Sequence, residues 1–257
     1  MRLAFSLLSI LPGGAPTVDR RGARRAMLAA PLVGVLLGVL AGGAGALART
    51  AGSGDLVAAV LAVGALAWLT RGLHLDGLAD TADGLGSGRQ APEALDVMKR
   101  SDIGPFGVFT LVLVLVLDIA ALRELYDVGP VHGAAGVILA AAAGRCAVTL
   151  ACRHGVPSAR PGGLGSLVAG SVPTGAAAAV AGAVLAGAAG LGFVGWFGAG
   201  SAGFAALHAS AAVAAGLVAA AMLQRRCVAR LGGVTGDVFG ALVETGQAVA
   251  LLVLCLG

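Results

Sequence analysis

Hydrophobic residues fall in long unbroken runs, at roughly 26–48, 55–70, 104–122, 131–152, 174–197, 201–223 and 236–256. Most are close to the roughly 20 residues that a helix needs to cross a bilayer core. The pattern predicts an all-α protein, a polytopic transmembrane helical bundle of about seven spans. The second run is short, so its helix is expected to continue through Trp68 toward the polar stretch that follows. The apolar run 3–11 is shorter still, and Arg20-Arg21-Gly22-Ala23-Arg24-Arg25 follows it in place of a small-residue cleavage site. It therefore reads as a segment lying at the interface, re-entrant or packed on the bundle, and not as a cleaved signal.

The longest polar stretch runs from Arg71 to Asp102, and its core is His74-Leu75-Asp76-Gly77-Leu78-Ala79-Asp80-Thr81-Ala82-Asp83-Gly84. Asp76, Asp80 and Asp83 stand at i, i+4 and i+7, which on a helix places them within an arc of about 60°. Like charges at this spacing repel by roughly 0.2–0.5 kcal/mol even in water, so a cation is expected among them. Carboxylate oxygens without Cys or His at matching spacing suit Mg²⁺, which takes one or two carboxylates and fills the rest of its shell with water and substrate phosphate. Gly77 and Gly84 each weaken such a helix by about 1 kcal/mol relative to Ala, a cost explained where backbone or substrate must come close. The Gly84–Gly88 run follows no strand and is not a dinucleotide fingerprint. Pro92 to Arg100 then reads as a short helix with Pro in its first turn.

Composition removes the soluble alternatives. The chain has 257 residues, 58% hydrophobic and 12% charged, with a mean hydropathy of +0.94. With the N-terminus in the cytoplasm, the loops divide Lys and Arg 14 to 2 in favour of the inside, only Arg49 and Arg123 lying outside. That is the expected bias of a cytoplasmic-membrane protein, with the Asp cluster facing the cytoplasm and the C-terminus outside. The net charge of +4 reflects this topology and contact with anionic membrane lipid, and calls for no nucleic acid. The four cysteines form no CxxC pair and read as small buried residues. Glycine-rich helix faces, such as Gly182 with Gly187 and Gly200 with Gly203, are expected to let spans approach closely.

Further candidates lie in or beside the spans. Asp237 and Glu244 stand at i, i+7 near the start of the last run, behind Thr235-Gly236 as a helix start. Both read as contacts to metal or substrate, since a carboxylate two turns into lipid costs about 2.5–3.5 kcal/mol without a partner. Arg145, inside the fourth run, and Arg160, among Pro and Gly, are candidates for binding phosphate through the guanidinium fork, with Arg153 a weaker one. For Arg145 an ion pair with a buried acid is the competing account. His74 is a candidate general base or carboxylate-orienting group, although an ideal helix turns it away from the Asp face. His208 reads as a hydrogen-bonded core residue, and His132 and His154 as loop residues. Asp118 falls near the outer end of its span and carries little signal.

These stretches together resemble the cobalamin 5'-phosphate synthase family, also called adenosylcobinamide-GDP ribazoletransferases. The resemblance rests on Leu8-Ser9-Ile10-Leu11-Pro12, on Pro31-Leu32-Val33-Gly34, on Gly72 to Gly84, on Ala159-Arg160-Pro161-Gly162-Gly163-Leu164-Gly165 and on Gly232-Gly233-Val234-Thr235-Gly236-Asp237. One departure is Arg100-Ser101-Asp102, where the family usually reads Asp-Ser-Arg; Asp102 is grouped with the substrate-binding candidates. The resemblance implies a single integral membrane transferase domain over 1–257, acting with Mg²⁺ late in cobalamin biosynthesis. A ribose hydroxyl of α-ribazole, or of its 5'-phosphate, would attack the cobinamide-side phosphorus of adenosylcobinamide-GDP and release GMP. Asp76, Asp80 and Asp83 would hold the metal, with His74 beside them in the catalytic set. Arg145, Arg160, Asp237, Glu244 and Asp102 would contact substrate. A looser likeness to CDP-alcohol phosphotransferases offers a lipid acceptor as the alternative, and nothing bars a homo-oligomer. A cation-coupled transporter would instead place acids at the bilayer midplane between repeated halves, and no internal repeat is visible.

Overall fold

The computed structural model describes residues 2–10, 19–194 and 201–256, apart from the side chains of Arg2 and Leu164. Among the described residues the backbone forms eleven helices and no strand: α1 (Arg2–Leu8), α2 (Arg20–Thr50), α3 (Asp55–Leu69), α4 (Leu73–Gly86), α5 (Ala91–Val97), α6 (Pro105–Val128), α7 (Pro130–Ala151), α8 (Gly163–Val168), α9 (Thr174–Phe193), α10 (Ala202–Leu231) and α11 (Gly236–Leu254). Six of them, α2, α6, α7, α9, α10 and α11, are long and apolar enough to cross a membrane. A seventh candidate is the pair α3 and α4, bent by 87° at the break between them.

The second apolar run does not continue straight into the Asp cluster as expected. Helix α3 stops at Leu69 because Arg71 (φ 54°) and Gly72 (φ 67°) take left-handed backbone conformations, which end an α-helix. Two helices extend past their apolar runs. Asp19 caps α2, its carboxylate accepting from the Gly22 amide at 2.7 Å, so the Arg20–Arg25 stretch is helical, and α10 carries Arg225, Arg226 and Arg230 on its last turns. Helix α1 packs on the bundle, with Leu3, Ala4 and Leu8 buried and the Ile10 amide donating to the Leu69 carbonyl at 2.8 Å. Leu11 and Pro12 lie outside the described residues.

At the centre stands α7, buried along nearly its whole length. Helix α2 lies directly on it through Gly34, Gly38 and Gly42, four residues apart on one face. A methyl group on Gly38 would come 2.6 Å from the Ile138 Cα. The expected close approaches at Gly182, Gly187 and Gly203 do not occur: a Cβ there would meet nothing within 4 Å, because α9 and the start of α10 turn most of their surface away from the bundle. Gly200 is outside the described residues. At the end of the bundle away from α4, Arg49 pairs with Asp55 and Arg123 with Glu124.

Candidate active site

Helix α4 has two faces with different fates. Asp76 is exposed and Asp80 partly so, whereas His74, Gly77 and Asp83 are buried. Gly77 lies against the first turn of α11, where a Cβ would sit 2.6 Å from the Asp237 carbonyl oxygen, and Gly240 of α11 meets the His74 carbonyl in the same way. This backbone-on-backbone contact accounts for Gly77, and it brings the Asp237 carboxyl into electrostatic range of Asp76 and Asp80. Thr235 fixes the turn: its hydroxyl accepts from the Val238 amide and donates to Asp237 Oδ2, both at 3.2 Å.

Arg160 arrives by a second route. The Ala159 amide donates to the Val234 carbonyl and the Val234 amide to the Pro157 carbonyl, each at 3.0 Å. Gly233 permits the pairing, since a Cβ would lie 2.5 Å from the Ala159 nitrogen. The Arg160 guanidinium donates to the Leu95 carbonyl of α5 at 2.5 Å, and its charge acts on both Asp80 and Asp237. Two stretches about 75 residues apart in sequence are thus stitched into one rim beside α4. The mouth brings Asp80 and Asp237 within electrostatic range of Arg160, with Asp76 one helical turn from Asp80.

Asp83 lines the same cavity as Asp80 and acts on its charge, and it makes two backbone bonds that its neighbours lack. Its Oδ2 accepts from the Gly104 amide at 2.7 Å and its Oδ1 from the Gly107 amide at 2.9 Å, so it satisfies two of the free N–H groups at the start of α6. A side chain at either glycine would collide with the carboxylate. Gly84 makes room for Met98 of α5. Asp102 is exposed and lines a cavity shared with Asp80, together with Arg89 and Arg100, two arginines that the sequence pattern did not single out.

Among the described residues no three His, Cys, Asp or Glu side chains converge tightly enough to enclose a metal ion. The donor set is instead two open carboxylates one helical turn apart, with Asp237 beside them. That suits Mg²⁺, which commonly takes one or two carboxylates and completes its shell with water and phosphate oxygens.

Below the mouth lies a buried polar layer. Arg145 is 0% exposed; it donates to Gln247 Oε1 at 3.0 Å and lies 3.3 Å from His74 Nδ1. Arginine only donates, so Nδ1 accepts and the proton of a neutral His74 ring sits on Nε2. Both Arg145 and Asp118 feel the charge of Glu244. Asp118, Glu244 and Gln247 line a cavity of about 10 Å³, about the space of one water. His74, Arg145 and Glu244 therefore point into the bundle interior, away from Asp76 and Asp80. Asp118 is 1% exposed and belongs to this layer, contrary to the expectation that it sits near the outer surface with little to do. The remaining candidates are ties within the fold. Arg153 donates to the Leu150 carbonyl and to Gln224, and His208 bonds the Val253 carbonyl at 2.8 Å. His132 lies in the first turn of α7 and not in a loop, His154 is exposed in a turn, and all four cysteines are free.

A family profile described as cobalamin-5-phosphate synthase matches residues 1–255. A protein of Frankia casuarinae named adenosylcobinamide-GDP ribazoletransferase is 44% identical, over 99% of this chain and 94% of its own length. Proteins of the same name from a Nocardioides species and from Pseudomonas aeruginosa are 41% and 38% identical, covering 98% and 99% of this chain and 96% of their own lengths in both cases. No solved structure matches the chain. The chain therefore belongs to the cobalamin-5-phosphate synthase family, whose named relatives are transferases.

Proposed function

We propose that this protein is an adenosylcobinamide-GDP ribazoletransferase of the cytoplasmic membrane, with its mouth open to the cytoplasm. It joins adenosylcobinamide-GDP to α-ribazole, or to α-ribazole 5'-phosphate, giving adenosylcobalamin or its 5'-phosphate. The acceptor hydroxyl oxygen bonds to the cobinamide-side phosphorus and gives up its proton to solvent, as the bond from that phosphorus to the oxygen of GMP breaks and GMP leaves. The observation that carries the reading is the convergence of Asp76 and Asp80 of α4, Asp237 of α11 and Arg160, from three separate stretches of chain, on one mouth. The 14-to-2 division of basic residues supports the orientation.

A diphosphate substrate brings negative charge to a mouth already rich in carboxylate, so the reaction needs a cation there. Asp76 and Asp80 are the residues that would hold Mg²⁺, which neutralises the phosphates and stabilises the departing GMP oxygen. Arg160 fixes a phosphate oxygen by charge-assisted hydrogen bonds. Asp237, held by Thr235, sets the opposite wall. Membranes containing the protein, given adenosylcobinamide-GDP, α-ribazole and Mg²⁺, should release GMP, and both substrates should be required. Release of CMP from a CDP-alcohol in its place would move the protein to the lipid phosphotransferases.

A further inference from the structure

Two cavities open along α4, and a single side chain divides them. The first, about 560 Å³, lies along the N-terminal half of the helix and is lined by Arg71, Leu73, Leu75, Asp76, Ile103 and Leu111 among others. The second, about 430 Å³, lies along the C-terminal half, with Asp80, Arg89, Arg100, Asp102, Ile103 and Phe106 in its wall. Both fall in the range of sites that bury a small molecule. Ile103 stands in both walls. Asp76 belongs to one cavity and Asp80 to the other, so their acids stand one helical turn apart, with Cβ atoms about 5–6 Å from each other.

The two cavities differ in chemistry. The second holds two guanidiniums, neither ion-paired among the described residues. They share the wall with the carboxylates of Asp80, Asp83 and Asp102; a guanidinium fork recognises a phosphate group or the face of a purine. The first is mostly aliphatic with one arginine, Arg71, whose φ of 54° is rare outside glycine. An aliphatic slot with one polar edge suits a flat, largely uncharged nucleoside.

We infer that the Arg89–Arg100 cavity seats the guanosine diphosphate end of the activated substrate, and that the Leu75–Leu111 cavity seats the nucleoside acceptor, with Ile103 between them. The assignment rests on the transferase reading above. It puts the phosphorus under attack over the Asp76–Asp80 step, and it puts GMP, the leaving group, in the second cavity alone.

The test uses full-length protein in detergent. GMP binding is measured by calorimetry for the wild type and for Arg89→Ala/Arg100→Ala, and KM is measured for each substrate. Both arginines are exposed, so the double variant should fold, and its gel-filtration profile checks this. GMP affinity should fall at least tenfold, about 1.4 kcal/mol, and KM for adenosylcobinamide-GDP should rise in step, with KM for α-ribazole unchanged. Leu111→Trp should do the reverse, raising KM for α-ribazole and leaving GMP affinity alone. Unchanged GMP affinity in the arginine variant, or equal effects on both KM values, would overturn the assignment while GMP release by the wild type still upheld the transferase reading. Absence of GMP release by the wild type would instead remove the reading itself.

Discussion

The open mouth and the buried layer beneath it use the same residue types on the same helices and reach opposite electrostatic states. At the mouth Arg160 acts on Asp80 and Asp237, while Arg71 shares a cavity wall with Asp76, and Arg89 and Arg100 share one with Asp80. About two turns deeper, α11 presents Glu244 and Gln247 to Arg145, which also meets His74 of α4. The layer below is enclosed, and Arg145 there meets Gln247, His74 and the charge of Glu244, whereas the carboxylates above are open to the surface. The comparison separates binding from scaffolding better than residue type does, since Arg145 and Arg160 read alike in the sequence.

The comparison can be broken in four places. The largest effect belongs below: Arg145→Met leaves Glu244 without its buried cation and should cost about 3–5 kcal/mol of stability. It would be read as reduced thermal stability in detergent, with recovery on adding Glu244→Gln. No rescue would mean that Arg145 answers something other than Glu244. Above, Asp80→Asn should lower kcat/KM by about 10²–10³-fold without changing the melting temperature, and Asp76→Asn/Asp80→Asn should be little worse than either single variant, because both serve one ion. Gly77→Ala tests the contact that joins α4 to Asp237. A shift of about 1 Å there should cost on the order of 10²-fold in kcat, with Mg²⁺ affinity reporting whether Asp76 and Asp80 stay together. The smallest effect falls on Asp83→Asn, which keeps one of two acceptor oxygens for the α6 amides. Stability should drop by about 1–3 kcal/mol while the Mg²⁺ dependence of turnover stays put; a rise in the Mg²⁺ requirement would return Asp83 to the metal shell.

How much of this the sequence disclosed depends on the range of the force involved. The spans were legible because burial in lipid needs about 20 apolar residues in a row, and that requirement is local. The helical start of α11 was legible for the same reason, since Thr235 and Asp237 are a cap and a first-turn acid within three residues. What stayed hidden depends on which face of a span meets another span. Asp118 looked idle because its burial against α11 is decided by packing, and Gly34, Gly38 and Gly42 looked no different from Gly182 and Gly187 until α7 was seen to lie on them. Asp76, Asp80 and Asp83 are periodic, so periodicity grouped them, but only the position of Gly104 and Gly107 separates Asp83 from the pair. Arg89 carried no signal beyond the excess of positive charge expected on that side, and Arg100 stood out only within the departure from Asp-Ser-Arg.

The contact between Gly77 and Asp237 also sets a clock. About 160 residues of chain separate the two, and synthesis proceeds at roughly 5–20 residues per second, so α4 leaves the ribosome about 8–32 s before the helix that completes its site. During that interval the carboxylates of α4 have no opposing wall and no Arg160 rim held in register by Val234. Until α11 is made, the proposed mouth lacks Asp237 and the Val234 pairing that holds the Arg160 segment.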